Sequence, residues 1–293
     1  MSSTIIDQRI SPGSETAEAY HASGAWGSSL ISTFLRSPQL AHRLRTRAWV
    51  PPSSPSQQLG TVFHALMDPG SDFVKHHQPG PRVRKNTNAW KDAESEASKN
   101  GITLMDADTW DQLHAMRDSV LANPVAAELL VGAEHEVGFR GPSPYGPFTV
   151  QCRADVLVPG RHIADFKTVS QWESFARSVV DHGYHRQAAF YRWVVELITG
   201  EKLPFVCIVV ETAAPLHRCR VVDFDSDFLD LGWREVEGAL RSIGERSRTN
   251  DWADHDHATV LSPPPWLVRE SFTVGSAADV HADADVTSAV EAA

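Results

Sequence analysis

Two neighbouring stretches of the sequence decide the fold: FTVQCRADVLV at residues 148–158 and RHIADFKTV at residues 161–169. Both are rich in the apolar and β-branched residues that favour strands, and a Pro-Gly turn signal stands between them. EVGFRG, which begins at residue 136, predicts a strand before them. FVCIVVET at 205–212 predicts a strand covered on both faces, because its apolar run is nearly continuous. HRCRVVDF at 217–224 is its expected hairpin partner.

The chemistry on these strands rests on two acids and a lysine. Positions i and i+2 of a strand share a face, so Asp165 and Lys167 project together while Phe166 points the other way. If the two strands pair as a hairpin, Asp155 lies beside Asp165. Crowded carboxylates repel unless a cation joins them, and hard oxygen ligands favour Mg²⁺ or Mn²⁺. An Asp-x-Lys pattern alone is more often a surface ion pair, but acids among apolar residues are costly unless paired or ligand-bound.

Four further residues are candidates for the same site. Glu136 is a third carboxylate, with an ordinary surface acid as the alternative. His64 lies on an apolar helical pattern, where a buried core histidine is the alternative to a metal ligand. Gln187 and Tyr191 are four residues apart on a predicted helix and so share one face. Ordinary helix packing is the alternative for that pair.

The rest of the chain has mainly helical patterns, which together with the strands predict an α/β (α+β) organisation. We expect residues 1–25 to be flexible and residues 26–248 to form one domain. Its parts would be helical (26–133), a sheet core (134–224) and a carboxyl-terminal helix (225–248), followed by an acidic, partly disordered tail at 249–293. Helices are expected around 30–37 and at 59–69, 90–99, 106–121, 124–132, 173–198 and 225–243.

The net charge of −10 would by itself argue against a nucleic-acid partner. However, residues 223–293 contain 15 acidic and five basic residues, which accounts for the whole excess. Residues 36–91 instead hold nine Lys and Arg against two acids. Such a basic segment suits phosphate contacts without sequence preference, with a merely solvated surface as the alternative. Within it, RVRK at 82–85 is the strongest candidate.

Several classes of protein are disfavoured. The three cysteines have no CxxC spacing, which argues against a disulfide framework, a zinc site or an iron–sulfur cluster. The amino terminus lacks the pattern of a signal peptide, and the apolar run at 205–210 is too short to cross a bilayer. We therefore expect a soluble, intracellular protein without a membrane partner.

The order of these motifs resembles the PD-(D/E)XK nuclease superfamily. Within it, the chain is similar to the RecE-type exonucleases (exodeoxyribonuclease VIII-like) of phages and prophages, which are related to the nuclease domains of RecB-like proteins. The resemblance spans roughly residues 25–245, and its strength lies in five motifs in the right order. Asp165 stands where the superfamily name also admits Glu. The matching residues are Gly60, Thr61, His64, Glu136, Arg153, Asp155, Asp165, Lys167, Thr168, Gln187 and Tyr191.

The resemblance implies a restriction-endonuclease-like core, a central mixed β-sheet flanked by helices, with a helical amino-terminal part. It also implies a role for each residue. The catalytic set would be Glu136, Asp155, Asp165, Lys167, Gln187 and Tyr191. The Mg²⁺ ligands, with Mn²⁺ as the alternative ion, would be His64, Glu136, Asp155, Asp165 and the carbonyl of Phe166. The expected DNA contacts are Arg82, Arg84, Lys85, Arg153 and Arg186.

The function implied is a Mg²⁺-dependent exonuclease that degrades linear double-stranded DNA, 5′ to 3′, and leaves single strands for phage-type homologous recombination. The implied partners are DNA ends, further copies of the chain in a ring, and a single-strand annealing protein, in the cytoplasm of a bacterial host. One alternative is a structure-specific or single-strand nuclease of the Cas4/RecB-like branch, although three scattered cysteines disfavour its iron–sulfur cluster. A non-cleaving DNA-binding or assembly module is the other alternative, disfavoured by the intact set of Asp155, Asp165 and Lys167.

Overall fold

A computed structural model describes residues 9–52 and 54–254 of the chain. The first eight residues and most of the predicted acidic tail lie outside the described residues. Six strands form a mixed sheet in the order β1-β4-β5-β6-β7-β8, and β2 and β3 form a separate parallel pair. The strands are β1 (Arg9–Ile10), β2 (His77–Pro79), β3 (Thr103–Met105), β4 (Glu134–Pro142), β5 (Thr149–Val158), β6 (His162–Val169), β7 (Phe205–Glu211) and β8 (Cys219–Asp223).

Helices precede, connect and follow these strands, and a 3₁₀ turn at Trp172–Ser174 follows β6. In the part of the chain that the structure describes, none of the helices combines the length and apolar character needed to cross a membrane. The helices are α1 (Ala17–Ala22), α2 (Ser28–Phe34), α3 (Pro38–Arg45), α4 (Pro55–Met67), α5 (Phe73–His76), α6 (Asn88–Lys99), α7 (Ala107–Ala122), α8 (Pro124–Leu129), α9 (Phe175–His182), α10 (Tyr184–Thr199) and α11 (Ser226–Thr249).

The predicted strand pairs are confirmed. β5 and β6 form an antiparallel hairpin, and β7 pairs antiparallel with β8. β7 runs parallel to β6, because α9 and α10 carry the chain back across the sheet between them. The expected architecture, a central mixed sheet flanked by helices, is the one the chain adopts.

Both faces of the sheet are covered, which explains the apolar run of β7. The larger core cluster includes Phe139, Phe190 and Leu240; in it α10 packs on the sheet, and α2 and α11 pack against α10. The smaller core cluster includes Phe63, Leu113 and Phe166 and packs α4 and α7 on it. Successive side chains of β7 point to opposite faces of the sheet. Cys207 and Val209 therefore pack in the larger cluster, and Ile208 and Val210 pack in the smaller one.

Two segments differ from the expectation. The single helix predicted at 173–198 is divided into α9 and α10, because Gly183 adopts a left-handed φ of 69°. Its N–H donates to the carbonyls of Val179 and Val180 and so caps α9. The segment 73–90, for which no helix or strand is predicted above, contains α5 and β2, and β2 pairs in parallel with β3.

The amino-terminal segment also differs. Residues 9–25 were expected to be flexible with the rest of 1–25, but they contain β1 and α1. β1 pairs antiparallel with β4, and Ile10 packs where Gly138 has no side chain. Tyr20 of α1 is only 8% exposed. A buried aromatic ring and two strand residues therefore hold this polar segment against the sheet.

Candidate active site

Asp155 lies where the alternation of β5 is interrupted. Ala154 and Leu157, three residues apart, both pack in the larger core cluster, whereas Val156 packs in the smaller one. A regular strand would place Ala154 and Val156 on the same face. The alternation of side chains between the two faces is therefore interrupted at Asp155. As a result the Asp155 side chain lies in a cavity and not in either core cluster.

Glu136 lies at the corresponding point of the neighbouring strand. The pairs His135 with Val156 and Val137 with Ala154 place Glu136 across from Asp155. Glu136 has a φ of 54°, a left-handed backbone that is uncommon for residues other than glycine. The two irregular positions face each other, and they bring two carboxylates together at one point of the sheet.

His64 joins these carboxylates from α4. Its Nδ1 lies 3.3 Å from Oδ2 of Asp155, which also accepts the backbone N–H of Phe166 at 2.9 Å. One ligand atom from each of His64, Glu136 and Asp155 lies within 4.8 Å of the other two. An imidazole and two carboxylates so close together fit a divalent cation, and carboxylate oxygens suit Mg²⁺ or Mn²⁺.

Asp165 and Lys167 lie beside this group, in the same cavity. The Nζ of Lys167 contacts Oδ2 of Asp165, whereas Oδ1 accepts Nε2–H of Gln187 at 2.7 Å. Both oxygens of Asp165 thus have protein partners, and this side chain is only 3% exposed. In this geometry Asp165 contacts Lys167 and Gln187, and it is not among the three residues of the close ligand group.

The environment moves the pKa values of the acids in opposite directions. Burial alone would raise the pKa of Asp155, but the neighbouring His64 and Lys167 outweigh burial and hold that pKa below its usual value. Burial and the charge of Asp155 raise the pKa of Asp165 to about 6. Burial opposes protonation of His64, yet Asp155 raises its pKa to about 9. The pKa of Lys167 is likewise raised by Asp165 despite burial, so its ammonium stays charged.

Gln187 and Tyr191 both face the cavity, as their spacing on one helix indicates. Gln187 contacts Asp165 directly. Tyr191 is buried with its ring edge-on to Phe205, and burial raises its pKa well above the usual value. Tyr191 therefore lines the wall and stays un-ionised.

The cavity has a volume of about 640 Å³ and includes residues that the motifs did not identify. Tyr184 is not one of the lining residues, but its ring centroid lies 4.7 Å from Nζ of Lys167. Gly13, Glu15, Tyr20 and His21 line the cavity from the amino-terminal segment. Tyr184 stands three residues before Gln187, so helical spacing alone could have pointed to it. No motif signals the amino-terminal residues.

The residues predicted to contact DNA differ in their surroundings: some are exposed on the surface, and one lines the cavity. Arg84 and Lys85 are exposed, and Lys85 lies 5.4 Å from the centroid of the Trp90 ring. Arg82 is exposed as well but forms ion pairs with two acids of α7. Arg153 lines the cavity, where its Nε lies 2.8 Å from Oε2 of Glu136.

Arg186, expected to contact DNA beside Gln187, is placed differently. Its Nη1 pairs with Glu235 of α11 at 2.7 Å, and it does not line the cavity. Successive helical residues are turned by about 100° from each other, so Arg186 points away from the face that carries Gln187. Its guanidinium instead contributes to the contact of α10 with α11.

Comparison with known proteins shows the family and the fold of this chain. No curated protein matches the chain at a significant level. A protein from Eubacterium rectale, whose crystal structure is described as that of a "putative exonuclease", superposes with a TM-score of 0.60 at 16% sequence identity. The match covers 88% of this chain and 98% of that one, which shows a shared fold. Residues 27–260 match the family described as "PDDEXK-like domain of unknown function (DUF3799)". The chain therefore belongs to this PD-(D/E)XK-like family, within the PD-(D/E)XK nuclease superfamily.

Proposed function

We propose that this protein is a Mg²⁺-dependent nuclease, with Mn²⁺ as the alternative ion, that degrades linear double-stranded DNA from its ends. The observation that carries the proposal is a single cavity that holds both the close group of His64, Glu136 and Asp155 and the ion pair of Asp165 with Lys167. The family and the fold support a nuclease. A bound divalent ion would supply polarisation of the scissile phosphate and of a water molecule.

The residues of the chain itself supply positioning and charge. Hydrolysis of a phosphodiester builds negative charge on the phosphate, and a fixed cation in a water-poor site stabilises that charge strongly. Lys167 is such a cation, because Asp165 and the Tyr184 ring hold its ammonium in place. There it can donate to the phosphate or to the attacking water. Gln187 fixes the other oxygen of Asp165 and so keeps the direction of the ammonium.

We further propose a direction of degradation, a product and an oligomeric state. By resemblance to RecE-type exonucleases, the enzyme would act 5′ to 3′ and leave single strands for an annealing protein in phage-type recombination. A ring-shaped homo-oligomer that threads the duplex belongs to the same proposal. Exposed Arg84 and Lys85 would contact phosphates without reading sequence. Arg153, which lines the cavity, would contact the scissile strand.

The test compares ended and closed DNA. With Mg²⁺ or Mn²⁺, the purified protein should degrade linear duplex, spare covalently closed circles and stop on addition of a chelator. Asp165→Asn should lower the rate by at least about a hundredfold, because Lys167 loses its charged partner. Asp92→Asn, at an exposed position of α6, is the matched control and should leave the rate unchanged. Cutting of closed circles would contradict end-dependence and favour a structure-specific nuclease, and failure to cut any DNA would contradict the nuclease itself.

A further inference from the structure

The amino-terminal helix α1 forms one wall of the candidate active site. Tyr20 and His21 of this helix, with Gly13 and Glu15 before it, line the cavity that holds the candidate metal ligands. All four residues precede the segment that matches the family, which begins at residue 27. The wall is therefore built from a part of the chain outside the family pattern.

Tyr20 contacts the site through Arg153. The Cζ of Arg153 lies 4.8 Å from the centroid of the Tyr20 ring, a distance that permits a cation–π contact. On its other side, Nε of Arg153 lies 2.8 Å from Oε2 of Glu136. The backbone carbonyl of Tyr20 accepts Nε2–H of Gln151 at 3.1 Å, and Gln151 is two residues before Arg153 on β5. The ring is thus fixed to the strand that carries the arginine.

Glu136 needs such support more than an ordinary ligand does. It combines a left-handed backbone with a position opposite the carboxylate of Asp155. Repulsion between the two carboxylates would turn Glu136 out of the group unless a cation opposed it. Arg153 supplies that cation, and a flat guanidinium held by an aromatic ring has little freedom to move away. Two successive contacts therefore link Tyr20 to Arg153 and Arg153 to Glu136.

We propose that Tyr20 and Arg153 are positioning residues that hold Glu136 in place as a metal ligand, so that α1 is part of the active site. This inference rests on the proposed divalent-metal site and deepens it. It assigns Arg153 to the support of a ligand, a role that does not require contact with DNA. Partners that orient metal ligands typically change metal affinity by about ten- to a hundredfold when they are removed.

The test measures Mn²⁺ binding by calorimetry on the full-length protein, without DNA. Tyr20→Leu removes the ring contact and should weaken Mn²⁺ binding roughly tenfold, whereas Tyr20→Phe keeps the ring and should stay within about twofold of the wild type. In nuclease assays, the Tyr20→Leu defect should appear as a higher Mn²⁺ requirement and largely disappear at saturating Mn²⁺. Tyr145→Leu is the matched control, because Tyr145 lies over Arg241 in a similar contact outside the cavity.

A double variant decides whether Tyr20 acts through the arginine. Arg153→Met alone should weaken Mn²⁺ binding at least as much as Tyr20→Leu does, and the double variant should be no worse than Arg153→Met. Arg153→Met also supplies the readout if Tyr20→Leu fails to fold, as circular dichroism would show. Wild-type Mn²⁺ affinity in Arg153→Met would overturn the proposal, and so would losses that add in the double variant. Wild-type protein that binds Mn²⁺ but cuts no DNA would refute the nuclease proposal and leave this inference standing.

Discussion

The protonation of His64 makes a quantitative prediction about metal binding. Without metal, Asp155 raises the pKa of His64 to about 9, from an ordinary value of 6.5. A metal ion can bind only the neutral imidazole, so it must displace this proton at any pH below about 9. Over that range the apparent metal affinity should rise about tenfold for each unit of pH. Between pH 6.5 and 8.5 the gain is about a hundredfold, or about 2.7 kcal/mol.

The assay is Mn²⁺ calorimetry under anaerobic conditions across this pH range, in two buffers that differ in ionisation enthalpy. The difference between the buffers counts the protons released, and we expect close to one for each ion bound at pH 7. In His64→Ala both the release and most of the pH dependence should disappear. His76→Ala, at an exposed histidine, is the control and should keep both. A pH-independent affinity without proton release in the wild type would refute the assignment of His64 as a ligand.

The same contact affects the stability of the metal-free protein. Because the folded pKa of His64 lies above its ordinary value, the folded state binds the extra proton between about pH 6.5 and 9. The contact with Asp155 therefore stabilises the fold fully below about pH 6.5, and this contribution is lost as the pH rises towards 9. In chelator, the stability difference between wild type and His64→Ala should shrink over that interval.

Three further predictions concern the chemistry, the packing and the DNA contacts. Lys167→Arg should lower the nuclease rate by at least about a hundredfold while Mn²⁺ affinity changes little, because a guanidinium does not replace a compact ammonium in a buried site. Gly232→Ala should lower the free energy of unfolding by about 1–3 kcal/mol in urea denaturation, since a Cβ there would lie 2.4 Å from a backbone oxygen of α10. Gly238→Ala, in the same helix but facing open space, should instead raise it by about 0.5–1 kcal/mol. Replacing both Arg84 and Lys85 by Ala should reduce the slope of log affinity against log salt by about 2 in anisotropy titrations with duplex DNA. An unchanged slope would contradict their role as phosphate contacts.

The sheet core could be predicted from the sequence because its signals are local. Alternation within the strand places the side chains of Asp165 and Lys167 on one face, and the Pro-Gly turn before them is enough to predict the hairpin. The helix that carries Gln187 was predicted too, but its start was not. Apolar spacing continues on both sides of Gly183, so periodicity alone hides the break at that residue.

Other parts of the site depend on tertiary contacts that have no local signal. Nothing in the sequence around Glu136 indicates a left-handed backbone, yet that backbone brings it towards Asp155. The amino-terminal segment is polar on average, so the burial of Tyr20 could not be predicted from composition. The placement of Arg186, in contrast, could have been predicted from the sequence. Successive helical residues are turned by about 100°, which directs Arg186 away from the face that carries Gln187.

The pairing of β1 with β4 has a consequence for how the protein behaves in solution. An uncovered strand at the end of a sheet offers free N–H and C=O groups to strands of other molecules. Among residues 9–52 and 54–254, Arg9 and Ile10 are the ones that pair with that side of β4, at Phe139 and Gly138. A shortened chain that begins after Ile10 would keep every candidate metal ligand, yet it would present this part of β4 to a second molecule. We therefore expect the shortened chain to self-associate more readily than the full-length protein.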